Sequence, residues 1–163
     1  MPNAWLSVSA TTRNPRPGEI DGSNYLFVST EQFEDWIATD GLLEWACVHA
    51  HYYGTPRAPV QKQLDADNNV FLEIDTQGAF QVMESVSDAV SIFIDAPSMN
   101  ELQRRLVGRG TESEDQLQRR LATAKHEIAE KMRYNYQLVN DDVESAADQL
   151  YRIIKAEEQK CQS

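Results

Sequence analysis

The segment Val70-Phe71-Leu72-Glu73-Ile74-Asp75 is an apolar run of strand-forming residues that ends in acidic side chains. We predict a strand over 70–74 and a short helix over 78–86. The alternation continues toward the C-terminus with strands at 90–94 and 137–139 and helices at 99–107, 114–132 and from 141 onward. Strands that alternate with helices are typical of a parallel sheet, so the sequence predicts an α/β fold.

The segment from about Arg13 to Val60 has a different pattern, with short strands close together and many turn residues. Apolar runs in and before this segment predict strands at Leu6–Ser9, Tyr25–Val28 and Leu43–Val48. Between them, Ser29 and Gln32 have the spacing of a capping box, which predicts the start of a helix. We therefore expect a separate, partly antiparallel lobe.

Length and charge limit the classes of protein to which the chain can belong. The 163 residues suffice for one domain with an apolar core. The chain has 15 Lys and Arg against 26 Asp and Glu, a net charge of −11, whereas phosphate backbones of nucleic acids are bound by basic patches. No apolar run approaches the ~20 residues that span a bilayer. We expect a protein without nucleic-acid or membrane partners.

The termini and the cysteines point to the cytoplasm. The N-terminus has neither the charged region nor the cleavage pattern of a signal peptide. Cys47 and Cys161 lie far apart and suggest neither a disulfide framework nor a metal site. We expect a cytoplasmic protein with no metal centre of its own.

One part of this acidic chain is basic. Residues 99–133 carry 8 basic and 6 acidic side chains, a net of +2. This segment contains an island rich in arginine, formed by Arg104, Arg105, Arg109, Arg119 and Arg120. They form either a solvated helix face with pairs at i,i+4 or a surface for a small polyanionic ligand, and composition does not choose between the two.

Arg13 and Arg16 lie three residues apart in a loop that two prolines hold extended. Guanidinium groups match phosphate oxygens in geometry and keep their charge at all relevant pH values. The alternative interpretation is a solvated loop.

Glu44 lies in a predicted strand, and Tyr53-Gly54-Thr55 follows that strand. A buried carboxylate near hydroxyl groups could accept both N1–H and N2–H of a guanine base. The alternative is an ordinary hairpin with exposed tyrosines. Glu73 and Asp75 similarly stand at a strand end, where α/β sheets bind ligands and Mg²⁺, or where a strand simply meets solvent.

Several motifs occur in the order and approximate spacing of one known family. They are Ser7-Val8-Ser9-Ala10-Thr11-Thr12-Arg13, Pro15-Arg16-x-Gly18-Glu19, Gly22-x-x-Tyr25, Phe27-Val28-Ser29, Tyr53-Gly54-Thr55, Leu72-Glu73-Ile74-Asp75-x-Gln77-Gly78-Ala79, Arg105-Leu106-x-x-Arg109-Gly110-Thr111 and Asn140-Asp141-Asp142. From about residue 5 to 158 the chain resembles the guanylate kinase family. The resemblance implies phosphoryl transfer from MgATP to GMP, which gives ADP and GDP.

The resemblance also implies roles for individual residues. The GMP phosphate would be held by Arg13, Arg16, Tyr25 and Tyr53, and guanine would be read by Ser9, Glu44, Thr55 and Asp75. Glu73 and Asp75 would face the reacting phosphates and the metal. Asn140 would approach adenine, and lid arginines Arg105, Arg109 and Arg120 would act with Arg13 as catalytic groups.

Family members share a P-loop-kinase-like core, a three-layer arrangement around a parallel sheet. The resemblance implies one domain over 1–163, with a GMP-binding lobe at 10–62, the core at 66–97 and 134–163, and the lid with its flanking helices at 98–133. The family pattern begins with a strand and a G-x-x-x-x-G-K-[ST] loop, but none of the seven glycines here precedes Lys-Ser or Lys-Thr.

We therefore expect a chain that lacks the first strand and the phosphate loop and is weakly active or inactive alone. The alternative is a non-catalytic homologue that binds GMP or a protein partner.

Overall fold

The computed structural model describes residues 3–48, 50–107 and 114–161. The chain divides into two compact units, Met1–Ala89 and Val90–Ser163, and each is described by itself. Among the described residues, no helix combines the length and the apolar character that a membrane span requires.

The first unit contains six strands and three helices among its described residues. The strands are β1 (Ala4–Leu6), β2 (Ala10–Thr11), β3 (Leu26–Phe27), β4 (Leu42–Val48), β5 (His51–Pro56) and β6 (Asn69–Phe71), and the helices are α1 (Thr30–Ala38), α2 (Arg57–Asp65) and α3 (Thr76–Ser85).

The first unit holds two sheets. Four strands follow the order β3-β2-β5-β4, in which β2 and β3 are parallel and the other pairs antiparallel. This is the partly antiparallel lobe that the sequence predicts. β1 and β6 form a separate parallel pair.

Phe33 anchors the core of the four-stranded sheet. Its side chain is fully buried with Ala10 and Leu42, and its ring stacks on Tyr52 at a centroid distance of 5.2 Å. Helix α1 brings it there, and Ser29 caps that helix by accepting a 3.2 Å hydrogen bond from Gln32 N–H. The predicted helix start is confirmed.

The second unit is built on a parallel strand pair. Its strands are β7 (Ile92–Asp95) and β8 (Tyr136–Val139), and its helices are α4 (Met99–Val107), α5 (Glu114–Ala129) and α6 (Val143–Cys161), with a 3₁₀ turn at Lys131–Arg133. Leu117, Leu121, Leu138 and Ala146 are buried in this unit.

Some predicted bounds are wrong. The strand predicted over Leu6–Ser9 is β1, which ends at Leu6, and the strand predicted over 70–74 ends at Phe71. Glu73 and Asp75 therefore lie beyond the strand. Ser7 N–H donates to Phe71 O, at 2.9 Å, as the last rung between these two strands, so the apolar residues that follow belong to connections.

Strand β5 and helix α2 were not predicted from the sequence. Gly54 weakens a strand pattern, yet here it is required because an added Cβ would lie 2.7 Å from the Glu44 carbonyl oxygen. Pro59 argues against a helix in the sequence, because proline breaks helix interiors. Here it occupies the first turn of α2, where the backbone N–H has no partner within the helix.

Candidate functional site

A buried glutamate and a buried threonine face each other in the β4–β5 hairpin. Glu44 and Thr55 are register partners, with 4% and 0% of their surfaces exposed. Thr55 Oγ1 donates a 2.6 Å hydrogen bond to Glu44 Oε1. The hairpin thus brings together two residues that are eleven positions apart and that the sequence predicts as guanine ligands.

The surroundings of Glu44 disfavour its charge. Burial is the main cause that raises the pKa of Glu44, and the charge of Asp75 adds to it, while the Thr55 hydrogen bond opposes the shift. Asp75 caps α3 by accepting a 2.9 Å hydrogen bond from Gly78 N–H. A carboxylate in such a position gains most from a ligand that offers N–H donors.

Ser9 precedes β2, the strand next to β5. Its carbonyl oxygen accepts a 2.9 Å hydrogen bond from Leu26 N–H. Because Ala10 pairs with Gly54, Ser9 stands one step further toward Thr55. Ser9, Glu44, Thr55 and Asp75, the predicted guanine set, all belong to the first unit.

Glu19 organises the arginine loop. Arg13 donates two parallel 2.9 Å hydrogen bonds to the Glu19 carboxylate, Nη1 to Oε2 and Nη2 to Oε1. Glu19 Oε2 also accepts a 2.6 Å hydrogen bond from Arg16 N–H. The Arg13 bonds and then the Arg16 bond lower the pKa of Glu19 to about 2.

Aromatic rings surround the Arg13 guanidinium. Its carbon lies 5.4 Å from the Tyr25 ring centroid and 5.8 Å from that of Phe27. The Tyr25 and Tyr53 rings meet edge to face at 6.0 Å. Burial raises the pKa of Tyr25, so this hydroxyl stays protonated and can donate a hydrogen bond to an anion.

The structure brings together three of the four residues predicted to hold phosphate, which are Arg13, Tyr25 and Tyr53. The side chain of the fourth, Arg16, is exposed on the same loop, and its backbone is fixed by Glu19. Glu73 is exposed beyond β6, and its charge acts on Tyr25.

The second unit holds the other predicted site residues. Arg105 donates a 2.7 Å hydrogen bond from Nε to Glu101 and a 2.8 Å hydrogen bond from Nη1 to the Asn140 carbonyl oxygen. Arg104 and Arg105 lower the pKa of Glu101 to about 2. Arg120 lies half-buried on α5, and Arg109 lies outside the described residues.

Asn140 follows β8, and its backbone and its side chain differ in their hydrogen bonding. Its N–H donates to Asp95 O at 2.8 Å, whereas its side-chain Oδ1 is buried and has no hydrogen-bond partner in the part of the chain that the structure describes. A buried acceptor of this kind suits an N–H donor on a ligand.

Sequence reasoning missed three residues that support the site. Glu19 and Gly78 were visible only as parts of motifs, although an acid close to two arginines is a signal for an ion pair. Gly78 and Gln81, on α3, contact β4. No spacing in the sequence indicates this contact, because it joins elements more than thirty residues apart.

Comparisons with known proteins identify the family of the chain. The guanylate kinase family model matches residues 2–157. Guanylate kinase from Caldanaerobacter subterraneus is 51% identical over 156 residues, which cover 96% of this chain and 75% of that protein. Guanylate kinase from Gloeobacter violaceus is 48% identical over 153 residues, which cover 94% of this chain and 75% of that protein.

A solved structure shares the fold. The crystal structure of guanylate kinase from Anaplasma phagocytophilum matches with a TM-score of 0.82 and 39% identity, over 95% of this chain and 76% of that one. The predicted α/β fold of P-loop-kinase type is therefore confirmed. The chain belongs to the guanylate kinase family.

Proposed function

We propose that this chain binds GMP in its first unit and serves the transfer of the ATP γ-phosphoryl group to GMP. In that reaction the bond from the γ-phosphorus to its bridging oxygen breaks, a bond to a GMP phosphate oxygen forms, and ADP and GDP result. The observation that carries the proposal is the buried Glu44–Thr55 pair.

Glu44 provides the guanine selectivity. Guanine presents N1–H and N2–H side by side, and one carboxylate accepts both. Adenine presents a lone pair at N1, which would face the carboxylate and leave a buried acceptor unpaired. Thr55 fixes Glu44, and Ser9 and Asp75 complete the guanine set.

Arg13 provides the first contact to the GMP phosphate. A guanidinium has five N–H donors, and Glu19 and the Asn14 carbonyl oxygen engage three of those of Arg13. Because Glu19 holds the planar guanidinium in place, the remaining N–H groups of Arg13 have fixed directions. Arg16, Tyr25 and Tyr53 supply further hydrogen-bond donors to the phosphate. Glu73 also belongs to the phosphate end of the site, since its charge acts on Tyr25.

The second unit serves the ATP side in this proposal. Asn140 Oδ1 accepts from the adenine amino group. Arg105, Arg109 and Arg120 neutralise the triphosphate and, with Arg13, the charge on the transferring group.

Glu73 and Asp75 fit a Mg²⁺ ion that arrives with ATP. Among the described residues, no group of three or more His, Cys, Asp or Glu side chains could hold a metal by itself. Mg²⁺ bound with nucleotide phosphates needs only one or two protein carboxylates. When bound, the ion supplies positive charge to the reacting phosphates.

We further propose that this chain by itself turns over slowly. The sequence contains no G-x-x-x-x-G-K-[ST] loop. In phosphoryl transfer such a loop supplies the amide cradle, the lysine and a Mg²⁺ hydroxyl. The same sequence feature favours the second candidate, a homologue that binds GMP or a protein partner without catalysis.

We assign the segments of the chain as the family resemblance implies. Residues 10–62 form the GMP-binding lobe, 66–97 and 134–163 the core, and 98–133 the lid with its flanking helices.

A coupled ADP-release assay on the purified chain tests the reaction. We expect slow ADP release that depends on GMP and is not supported by AMP. Turnover of about 1–100 s⁻¹ would contradict the slow-turnover proposal. GMP binding without any GMP-dependent ADP release would favour the non-catalytic candidate, and absence of GMP binding would overturn the proposed function.

A further inference from the structure

Gly78 on helix α3 lies directly against Glu44, the candidate guanine-binding carboxylate. A Cβ atom added to this buried glycine would lie 2.8 Å from Glu44 Cδ and closer still to Oε2. Real Cβ atoms essentially never come within 3.0 Å of a neighbour. The Glu44 carboxylate can therefore occupy its place only because residue 78 has no side chain.

The side chain of Gln81 holds α3 against β4 through two hydrogen bonds. Gln81 Nε2 donates to the Trp45 carbonyl oxygen at 2.7 Å, and Gln81 Oε1 accepts from Trp45 N–H at 3.1 Å. Asp75 fixes the first turn through Gly78 N–H. The helix is thus clamped to β4 at the residue next to Glu44.

We propose that Gly78 is a positioning residue for guanine selectivity: with Gln81 as the clamp, it sets the place of the Glu44 carboxylate. This inference rests on the proposed function and deepens it. The group that must yield to a larger residue is the end of the Glu44 side chain rather than backbone.

The substitution G78A therefore separates folding from selectivity. The backbone of Gly78 is not in the left-handed region, and alanine favours a helix over glycine. The overlap would displace the Glu44 carboxylate, and a misplacement of about 1 Å can cost about 100-fold. We expect GMP affinity to fall about 10- to 100-fold while AMP affinity changes less than about threefold.

The test is calorimetric titration of GMP and AMP into the full chain and its variants. G41A is the matched control, because Gly41 also lies near β4. An added Cβ at Gly41 would lie 3.4 Å from the nearest atoms, which belong to Trp36. We expect G41A to keep the wild-type GMP preference. Equal losses for GMP and AMP in G78A, or an unchanged preference, would overturn the inference.

A double-mutant cycle with E44Q shows whether Gly78 acts through Glu44. We expect G78A to cost no further GMP preference once E44Q has removed it. Independent, multiplying losses would contradict the inference. If wild type itself does not prefer GMP, the proposed function fails and the inference falls with it, whereas a wild-type preference that G78A retains overturns the inference alone.

Thermal melting covers the case in which G78A does not fold. Aspartate at position 44 is one methylene shorter and retracts the carboxylate from α3. If the Glu44 overlap is the cause, the double variant E44D/G78A melts at the temperature of E44D alone. A double variant that remains unfolded would overturn the inference.

Discussion

Glu19 and Arg13 meet through two parallel hydrogen bonds of 2.9 Å, and the same carboxylate holds Arg16 N–H. One acidic side chain thus fixes both arginines of the candidate phosphate loop. Only 13% of the Arg13 side chain and 18% of the Glu19 side chain are exposed. The pair orients the guanidinium before any ligand is present, which reduces the entropy lost when a ligand binds.

We predict that E19Q raises the KM for GMP several-fold and leaves the KM for ATP unchanged. The amide keeps the size of the side chain but presents one acceptor to the Arg13 fork instead of two. Steady-state kinetics with each substrate varied measures both constants. E34Q on α1 is the control, because Glu34 is exposed in the same unit. An unchanged KM for GMP would contradict the positioning role of Glu19.

We predict a characteristic pH dependence for the stability that Glu19 contributes. Its pKa falls from an ordinary 4.5 to about 2 in the folded chain, so the folded state favours the charged form. This contribution is fully present above the ordinary pKa and is lost as the pH falls toward about 2. The difference in melting temperature between wild type and E19Q should stay constant from pH 7 to about 5 and shrink below that. A difference that persists at pH 2 would contradict the assignment.

We predict that T55V destabilises the chain by about 1–3 kcal/mol at pH 7, because it removes the donor to a buried carboxylate oxygen. Loss of this hydrogen bond raises the pKa of Glu44 further. A raised carboxyl pKa means that stability falls as the pH rises through it, so the penalty should be smaller at low pH, where Glu44 carries a proton. Urea unfolding at several pH values measures both effects.

T39V provides the comparison for this series, because the exposed Thr39 hydroxyl, at the end of α1, donates to the Asp35 carbonyl oxygen rather than to a buried carboxylate. It should cost clearly less than T55V. A T55V penalty that grows as the pH falls would show that Glu44 is not the partner that matters.

We predict that R105A lowers the melting temperature by about 2–4 °C, since it removes the bond from α4 to the Asn140 carbonyl oxygen. GMP-dependent turnover should fall as well. R104A is the control, because Arg104 pairs with the same Glu101 but its side chain is 77% exposed. Equal effects of the two variants in differential scanning calorimetry and the coupled assay would contradict a distinct role for Arg105.

Helix starts can be predicted from the sequence because the signals for them are local. Ser29 is an example, since its capping interaction spans only four residues. Strand β5 could not be predicted in this way, because the need for Gly54 arises from the close approach of β4 and not from a local pattern. Helix α2 could not be predicted because Pro59, in its first turn, looks like a helix breaker in the sequence.

The candidate site divides in the same way. Arg13, Glu44 and Thr55 were predictable as residue types in motifs, and the hairpin register then brings Glu44 and Thr55 together. The support from Gly78 and Gln81 depends on how α3 packs against β4, which no local pattern encodes. The residues proposed to contact a ligand were therefore easier to predict than those proposed to position them.

Calorimetric titration of GMP and AMP into wild type and E44Q measures whether the claim holds that the buried Glu44 carboxylate recognises guanine. We predict that wild type prefers GMP by at least about 100-fold and that E44Q reduces this preference to less than about tenfold, with melting curves showing both chains folded. Equal affinity of wild type for the two nucleotides, or full GMP preference in E44Q, would contradict the claim.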